Sequence, residues 1–377
     1  MRGAVRVRPE VDAEETAVLS LADVEVIYGG RRALAVPTLD VRPRETLAVI
    51  GPNGAGKSTL LRVLALLEPP SRGRVALRGK PVGGEAERLA LRRRMASVFQ
   101  EPLLCDTTVA ANARLALTFR GVGRAEADRR VRPWLERLGI VPLADRPART
   151  LSGGEAQRTS LARAFAALPE VLFLDEPFAA LDPPTREGLL GDLEGLLRET
   201  RTTTVLVTHD RAEAQRLGDR VAVLVDGRLA QVGVAAEVFG APVDETVARL
   251  VGVENLLTGR VERVAPGVVE VVVGGRVVTV AGRGRPGDTA LVGLRPEDVI
   301  LEPAGPGGPT SAQNRLHGVV AEVTSLGLLY RVGVDCGFRV TAVVTRHAVE
   351  TLALAAGRAV SVTFKATAAH LIRLTAA

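Results

Sequence analysis

Lysine is nearly missing from this chain. It occurs only at Lys57, Lys80 and Lys365, although Lys and Arg together number 49. So lopsided a ratio reads first as the compositional habit of a GC-rich genome. Asp and Glu number 43, giving a net charge of +6, and the arginines are scattered among them. A solvated surface accounts for that pattern better than a polyanionic partner does, and no nucleic acid is expected. Cysteine is equally scarce. Cys105 and Cys336 stand far apart without CxxC spacing, which argues against a zinc site or a disulfide framework and fits a reducing compartment. No stretch approaches about 18 uninterrupted apolar residues, so the chain is not expected to span a membrane by itself. The start, MRGAVRVRPEVDAEE, lacks the apolar core of a secretory signal. A soluble intracellular protein is expected. Hydrophobic residues make up 46% and charged ones 24% of 377, enough for sizeable cores and against wholesale disorder. That length suggests about two or three domains.

Residues 1–18 read as a poorly ordered lead-in. From 19 to 250, continuous apolar runs alternate with amphipathic helical stretches. LAVI (47–50), VLFLD (171–175) and TVLVTH (204–209) suit strands buried on both faces, with helices over 57–67, 155–168 and 185–200 between them. This is an α/β pattern, helices on a mostly parallel sheet. Over 255–377 short Val-rich runs punctuated by Gly and Pro predict an all-β region of small barrel or sandwich type. EPAGPGGPTS (302–311) reads as a linker splitting that region. The two parts echo each other: Asn255-Leu256-Leu257-Thr258-Gly259 answers Asn314-Arg315-Leu316-His317-Gly318. Gly287 through Leu294-Arg295-Pro296 likewise answers Gly357 through Phe364-Lys365-Ala366. Either this is an internal duplication forming paired β lobes, or a coincidence among Val-rich strands.

Gly51-Pro52-Asn53-Gly54-Ala55-Gly56-Lys57-Ser58 fits the phosphate-loop pattern G-x-x-x-x-G-K-S/T, directly after a strand and opening a helix. Its glycines let successive N–H groups curl around phosphate oxygens, aided by the helix N-terminus. Lys57 would neutralise the β- and γ-phosphates and Ser58 would ligate Mg2+. By contrast, Gly282-Arg283-Gly284-Arg285-Pro286-Gly287 satisfies G-x-G-x-x-G but is followed by no helix, so it reads as a loop between strands. The strand VLFLD delivers Asp175 and Glu176 at its C-terminal end, where an α/β active site lies. Asp175 would support Mg2+, and Glu176 would be the base for a water attacking the γ-phosphate. In Leu151-Ser152-Gly153-Gly154-Glu155, Ser152 and Glu155 make a capping box. Gly153 and Gly154 allow an anion to approach the helix start closely.

In the order GPNGAGKST, LSGGEAQR, VLFLDEP, the sequence resembles the ATP-binding cassette (ABC) ATPases over roughly three-fifths of its length. The resemblance implies a P-loop ATPase domain with a helical subdomain, ATP and Mg2+ as cofactors, and Thr59 within the nucleotide-binding loop. It implies that Gln100 in VFQEP senses Mg2+ and the attacking water and contacts the membrane partner. Ala180-Leu181-Asp182 resembles the family's D-loop, which makes Asp182 a nucleotide-site candidate, and His209 in LVTHD matches the switch histidine at the γ-phosphate. Tyr28 in VIYGG matches the aromatic that stacks on adenine; it is otherwise an ordinary strand tyrosine. The family pairs two copies head to tail, each ATP held by one copy's phosphate loop and by Ser152, Gly153 and Gly154 of the other. No NKxD motif suggests guanine specificity.

With no membrane span, a transport role needs separate permease subunits and an extracytoplasmic substrate-binding protein, the ATPase lying peripherally at the cytoplasmic face of the membrane. The C-terminal region resembles the TOBE-like, OB-like barrels appended to importer ATPases, and its last half resembles the molybdate/tungstate-binding variety. That resemblance implies an oxyanion site at Ser311, Ala312, Asn314 and Lys365, with Gln313 standing where the family usually carries arginine and so losing a charge-assisted bond. A purely structural barrel is the other reading. The expected function is thus the ATP-hydrolysing subunit of a molybdate or tungstate importer. Sulfate, polyamine, iron or sugar importers remain open, as does a soluble cassette acting on ribosomes or DNA.

Overall fold

Thr46–Ile50 is buried at every position, which a strand covered on both faces requires. Around it the computed structural model, which describes residues 17–305 and 310–375, builds a 10-stranded sheet. In chain order its strands are β1 (Leu19–Tyr28), β2 (Arg31–Val41), β3 (Thr46–Ile50), β4 (Arg72–Leu77), β5 (Lys80–Pro81), β6 (Met95–Val98), β7 (Val171–Asp175), β8 (Thr203–Val207), β9 (Arg220–Val225) and β10 (Arg228–Val234). The helices are α1 (Lys57–Leu64), α2 (Glu85–Arg92), α3 (Val109–Thr118), α4 (Arg124–Arg137), α5 (Gly153–Ala166), α6 (Pro183–Thr200) and α7 (Arg211–Leu217). The strands lie in the order β5-β4-β1-β2-β10-β9-β3-β8-β7-β6.

The run from β9 through β3, β8 and β7 to β6 is parallel, and so is the pairing of β10 with β2; β5, β4, β1 and β2 pair antiparallel, as do β9 and β10. Five of its nine pairings are parallel, in line with the expected mostly parallel sheet, and the other four add an antiparallel wing. The reason lies in β1: Leu19, Leu21, Val24 and Val26 are buried and residues between them are wetter, the half-covered pattern of an antiparallel wing. The continuous runs β3, β7 and β8 form the doubly covered part, as read from the sequence. On one side of it α1 packs into a core with Leu47, Val49, Phe173 and Val205. On the other, α3, α4, α5 and α6 share a second core with Leu172, Leu174 and Leu206. There Trp134 of α4 stacks on Phe165 of α5, ring centroids 5.0 Å apart.

The chain divides into two compact units at Ala235/Ala236, earlier than the boundary at 250–255 expected from the sequence. Two short helices, α8 (Ala235–Gly240) and α9 (Glu245–Leu250), follow the division. Within the second unit the Phe239 carbonyl of α8 accepts a bond at 2.7 Å from Arg295 Nη2. The lead-in is likewise shorter than expected, because Val18 is buried and its N–H donates to Val41 O at 2.8 Å; residues 1–16 lie outside the described residues.

The second unit holds β11 (Asn255–Ala265), β12 (Val268–Val273), β13 (Arg276–Ala281), β14 (Thr289–Leu294), β15 (Ile300–Pro303), β16 (Asn314–Ser325), β17 (Leu329–Asp335), β18 (Arg339–Thr345), α10 (Arg346–Thr351), β19 (Ala359–Phe364) and β20 (Ala369–Thr375). Glu302 and Pro303, assigned to the linker from sequence, instead end β15, which pairs with β19; residues 306–309 of that linker lie outside the described residues. Two five-stranded lobes result: a closed barrel β11-β12-β13-β20-β14 and a sheet β15-β19-β16-β17-β18. Each lobe is completed by the last strand of the other, β20 crossing one way and β15 the other.

The sequence repeat coincides with a repeat of bonding. Asn255 exchanges two bonds with the Thr341 backbone, at 2.9 and 2.6 Å, and Asn314 exchanges two with the Thr279 backbone, at 2.8 and 2.7 Å. Asn255 thus reaches from β11 to β18 and Asn314 from β16 to β13, each crossing to the other lobe. Gly287 N–H donates to Val261 O at 2.8 Å, and Gly357 N–H to Val320 O at 2.8 Å, again in matching places. The loop 282–287 joins β13 to β14 with no helix, as its sequence implied.

Candidate active site

The phosphate loop follows β3 and turns into α1 at Lys57. Two glycines make the turn possible. A Cβ on Gly51 would lie 2.1 Å from Leu224 O, and Gly56 stands at φ 96°, a left-handed conformation that side chains disfavour. Lys57 is buried within the loop, its Nζ donating to Gly51 O at 2.9 Å and Pro52 O at 3.1 Å. Burial lowers its pKa, and the charges of Glu176 and then Asp175 partly oppose that shift. Ser58 Oγ lies 3.5 Å from Asp175 Oδ1 at the end of β7.

Glu176 follows at φ 47°, a left-handed conformation that costs a side-chain-bearing residue about 1–3 kcal/mol and marks an enforced geometry. Its N–H donates to Val207 O of β8 at 2.9 Å, and its Oε2 lies 3.1 Å from Nδ1 of His209, just past β8. Adjacent parallel strands thus present the acid and the imidazole side by side. Burial, then the charge of Glu176, raises the Asp175 pKa. Protonation therefore favours the folded state: the stabilising increment is full below the unfolded pKa and is lost as pH rises through the folded one. Asp175→Asn is accordingly expected to stabilise the nucleotide-free protein by about 0.5–2 kcal/mol at neutral pH, with the gain over the parent shrinking on acidification. Thermal denaturation across pH checks this.

A cavity of ≈ 750 Å³ is lined by Tyr28, Asn53, Gly54, Gly56, Lys57, Ser58, Thr59 and Glu176, which the sequence had singled out. It is also lined by Arg31, Arg32, Ala33, Asp226 and Gly227, which it had not. Asp226-Gly227 was legible as a hairpin turn between β9 and β10, yet nothing local placed that turn beside the phosphate loop. Tyr28 is half-exposed on this cavity, its hydroxyl donating to Glu68 Oε1, and burial followed by that bond raises its pKa.

Gly51, Asp175 and His209 adjoin the lining residues in the chain or by hydrogen bond, whereas five other predicted residues, Gln100, Ser152, Gly153, Gly154 and Asp182, lie apart from the cavity lining. Gln100 is exposed after β6, in a loop tied to α5 by Gln157 Nε2 donating to Phe99 O at 3.3 Å and Arg163 Nη2 donating to Pro102 O at 2.9 Å. Ser152, Gly153 and Gly154 start α5, where the capping box is formed: Ser152 N–H donates to Glu155 Oε2 at 2.8 Å and Glu155 N–H to Ser152 Oγ at 3.3 Å. The box leaves the Gly153 and Gly154 N–H groups as the donors at the helix start. Asp182 caps α6, accepting from Thr185 N–H at 3.1 Å.

In the second unit the register Asn314↔Phe364 puts the start of β16 beside the end of β19, so Lys365 sits across from the segment Ser311–Gln313. Ser311, Gln313 and Lys365 are exposed and Ala312 is half-buried, whereas Asn314 is buried and its amide holds β13. A hollow of ≈ 470 Å³ in this unit is lined by Arg249, Glu254, Asn255, Arg339 and Thr341 among others, and by none of those candidates.

This geometry coincides with family likeness. Residues 34–179 match the family described as ABC transporter, and residues 310–371 match the TOBE domain. The molybdate/tungstate import ATP-binding protein of Pyrococcus abyssi is 39% identical over 338 residues, spanning 88% of this chain and 93% of that protein. The chain belongs to the ABC transporter ATP-binding proteins. Other relatives of this ABC ATPase include an Fe(3+) import ATP-binding protein of Streptomyces avermitilis, 42% identical over 64% of this chain and 69% of that protein. Among solved structures, the ATPase part resembles cbiO1 of Clostridium perfringens, with a TM-score of 0.56 and 30% identity, covering 62% of this chain and 94% of that one. It also resembles a dimeric, ADP- and phosphate-bound cassette, MJ0796, with a TM-score of 0.53 and 30% identity over 58% of this chain and 98% of that one. As a member of this family the ABC ATPase binds and hydrolyses ATP. Among the described residues no helix is long and apolar enough to cross a membrane.

Proposed function

We propose that this ABC ATPase energises a molybdate or tungstate importer, at the cytoplasmic face of the membrane, with permease subunits and an extracytoplasmic binding protein. The observation that carries the substrate assignment is the 39% identity to a molybdate/tungstate import protein across both units of the chain. The iron-import relatives, one of them 42% identical, support Fe(3+) as a second reading.

ATP occupies the cavity with its adenine on Tyr28 and its phosphates in the loop, where Gly51, Asn53, Gly54, Gly56, Lys57 and Thr59 hold them. Among the described residues no cluster of three or more His, Cys, Asp or Glu could hold a metal alone. The neighbouring oxygens of Ser58 and Asp175 suit Mg2+, which takes few protein ligands beside phosphates. When bound it supplies charge neutralisation at the β- and γ-oxygens. Glu176 takes a proton from a water as the water oxygen attacks the γ-phosphorus and the bond to the β,γ-bridging oxygen breaks. His209 holds the Glu176 carboxylate, and Gln100 reports on the metal and the water. Gly153, Gly154 and Ser152 of a second copy close over the γ-phosphate, with Asp182 at the same junction.

Isothermal titration of the full chain with tungstate, molybdate, ferric citrate, sulfate and spermidine tests the substrate. Tungstate or molybdate binding alone is the expected result; binding of another of these ligands and of neither tungstate nor molybdate would overturn it. Copurification with a polytopic membrane protein is the companion measurement, and copurification with ribosomes instead would remove the transport reading.

A further inference from the structure

His209 is flanked by Thr208 and Asp210, and both are tied to a residue of another element. Arg186 lies in the first turn of α6, its own N–H donating to Asp182 O at 2.9 Å. Its guanidinium donates from Nη2 to Asp210 Oδ2 at 2.5 Å, and from Nη2 and Nε to Glu213 Oε1 at 2.6 and 2.9 Å. Glu213 is only 3% exposed, and its other oxygen, Oε2, accepts from the Thr208 hydroxyl. Asp210 N–H donates to that same hydroxyl oxygen at 3.0 Å, while Asp210 Oδ1 caps α7 through the N–H groups of Ala212 and Glu213. One cation thus fixes both neighbours of His209, and His209 in turn reaches Glu176 at 3.1 Å.

A second set of pairs links the same two helices farther from the site. Arg216 of α7 meets Glu187 at 2.5 Å and Glu194 at 2.6 Å on α6, and it touches neither Thr208 nor Asp210. Holding α6 against α7 therefore does not require Arg186. What Arg186 adds is a short, directional path from the helix capped by Asp182 to the loop that bears His209. Bidentate guanidinium contacts of this kind transmit position as well as charge.

We propose that Arg186 is a positioning residue: it couples the start of α6, which the second copy engages through the Asp182 segment, to the His209–Glu176 pair, so that pairing of the two copies sets the hydrolytic geometry. The inference rests on the reading of His209 and Glu176 given above.

The test is steady-state ATP hydrolysis by the full chain, with denaturation midpoints, for Arg186→Met, Arg186→Lys, Arg216→Met and His209→Ala. Arg186→Met leaves the buried Glu213 carboxylate without its partner, so the double variant Arg186→Met/Glu213→Gln is measured beside it. The expected result is a fall in kcat of about 10–100-fold with KM for ATP within about 2-fold, as small misplacements of a reacting group produce. Arg186→Lys should restore part of kcat, and Arg216→Met should match the parent. A folded double variant with parental kcat, beside an inactive His209→Ala, would overturn the coupling. So would an equal loss in Arg216→Met, or a rise in KM as large as the fall in kcat, because either marks general loosening. Parental turnover by His209→Ala would instead remove the reading of the site on which the coupling depends.

Discussion

Glu176→Gln is expected to lower kcat for ATP hydrolysis by about 10²–10⁴-fold, the usual worth of a positioned general base, while leaving ATP affinity close to that of the parent. The substitution keeps shape and volume and removes only the ability to take up a proton. The geometry argues that this proton matters. Glu176 is held at φ 47°, and its backbone is pinned to Val207 O at 2.9 Å. An acid kept in a strained conformation at the end of a buried strand, with an imidazole 3.1 Å from its carboxylate, is costly to maintain for stability alone. Gln also relieves the charge that Glu176 imposes on half-buried Asp175, so the variant should fold at least as well as the parent. Phosphate release and equilibrium nucleotide binding, measured on the same preparation, separate the two effects. Parental turnover would show that the base is elsewhere.

Lys57→Met should weaken ATP binding by roughly 10–150-fold, the equivalent of about 1.5–3 kcal/mol for hydrogen bonds to a charged group. Met is close to Lys in length and fills the same buried path, so α1 should persist and circular dichroism should be unchanged. Without nucleotide, Nζ donates to two carbonyls of its own loop, Gly51 O and Pro52 O. The ammonium is therefore already partly desolvated and facing the cavity, which lowers what ATP must reorganise on binding. Lys57→Arg should not rescue affinity, because a planar guanidinium cannot replace a compact ammonium inside the loop. Equilibrium binding of a fluorescent ATP analogue decides between these outcomes, and undiminished affinity in the Met variant would remove Lys57 from the phosphate site.

The parts of this architecture that were legible in sequence are those specified within a few residues. The phosphate loop, the capping box at Ser152 and Glu155, and the apolar runs of β3, β7 and β8 each carry their physical reason locally. The antiparallel wing is not legible locally, because β1 is held between β2 and β4 and carries alternating burial in place of a continuous apolar run. Arg31, Arg32, Asp226 and Gly227 escaped notice because they meet the phosphate loop only through strand order in the sheet. Asn255 and Asn314 were recognised as equivalents, but their task, bonding to Thr341 and Thr279 across the lobes, depends on partners 86 and 35 residues away. Arg186 offered no signal at all: an arginine in a helix is ordinary until Glu213 is found buried against it.

The exchanged strands have a thermodynamic consequence. Because β20 completes the lobe of β11–β14 and β15 completes the lobe of β16–β19, neither lobe retains its edge if the other unravels. The C-terminal unit should therefore melt in one transition, and amide protection in Val271 and Val332, both fully buried on opposite lobes, should collapse together. Any ligand that tightens one lobe raises the opening free energy of both, so the region reports occupancy as a single cooperative element and not as two independent sensors.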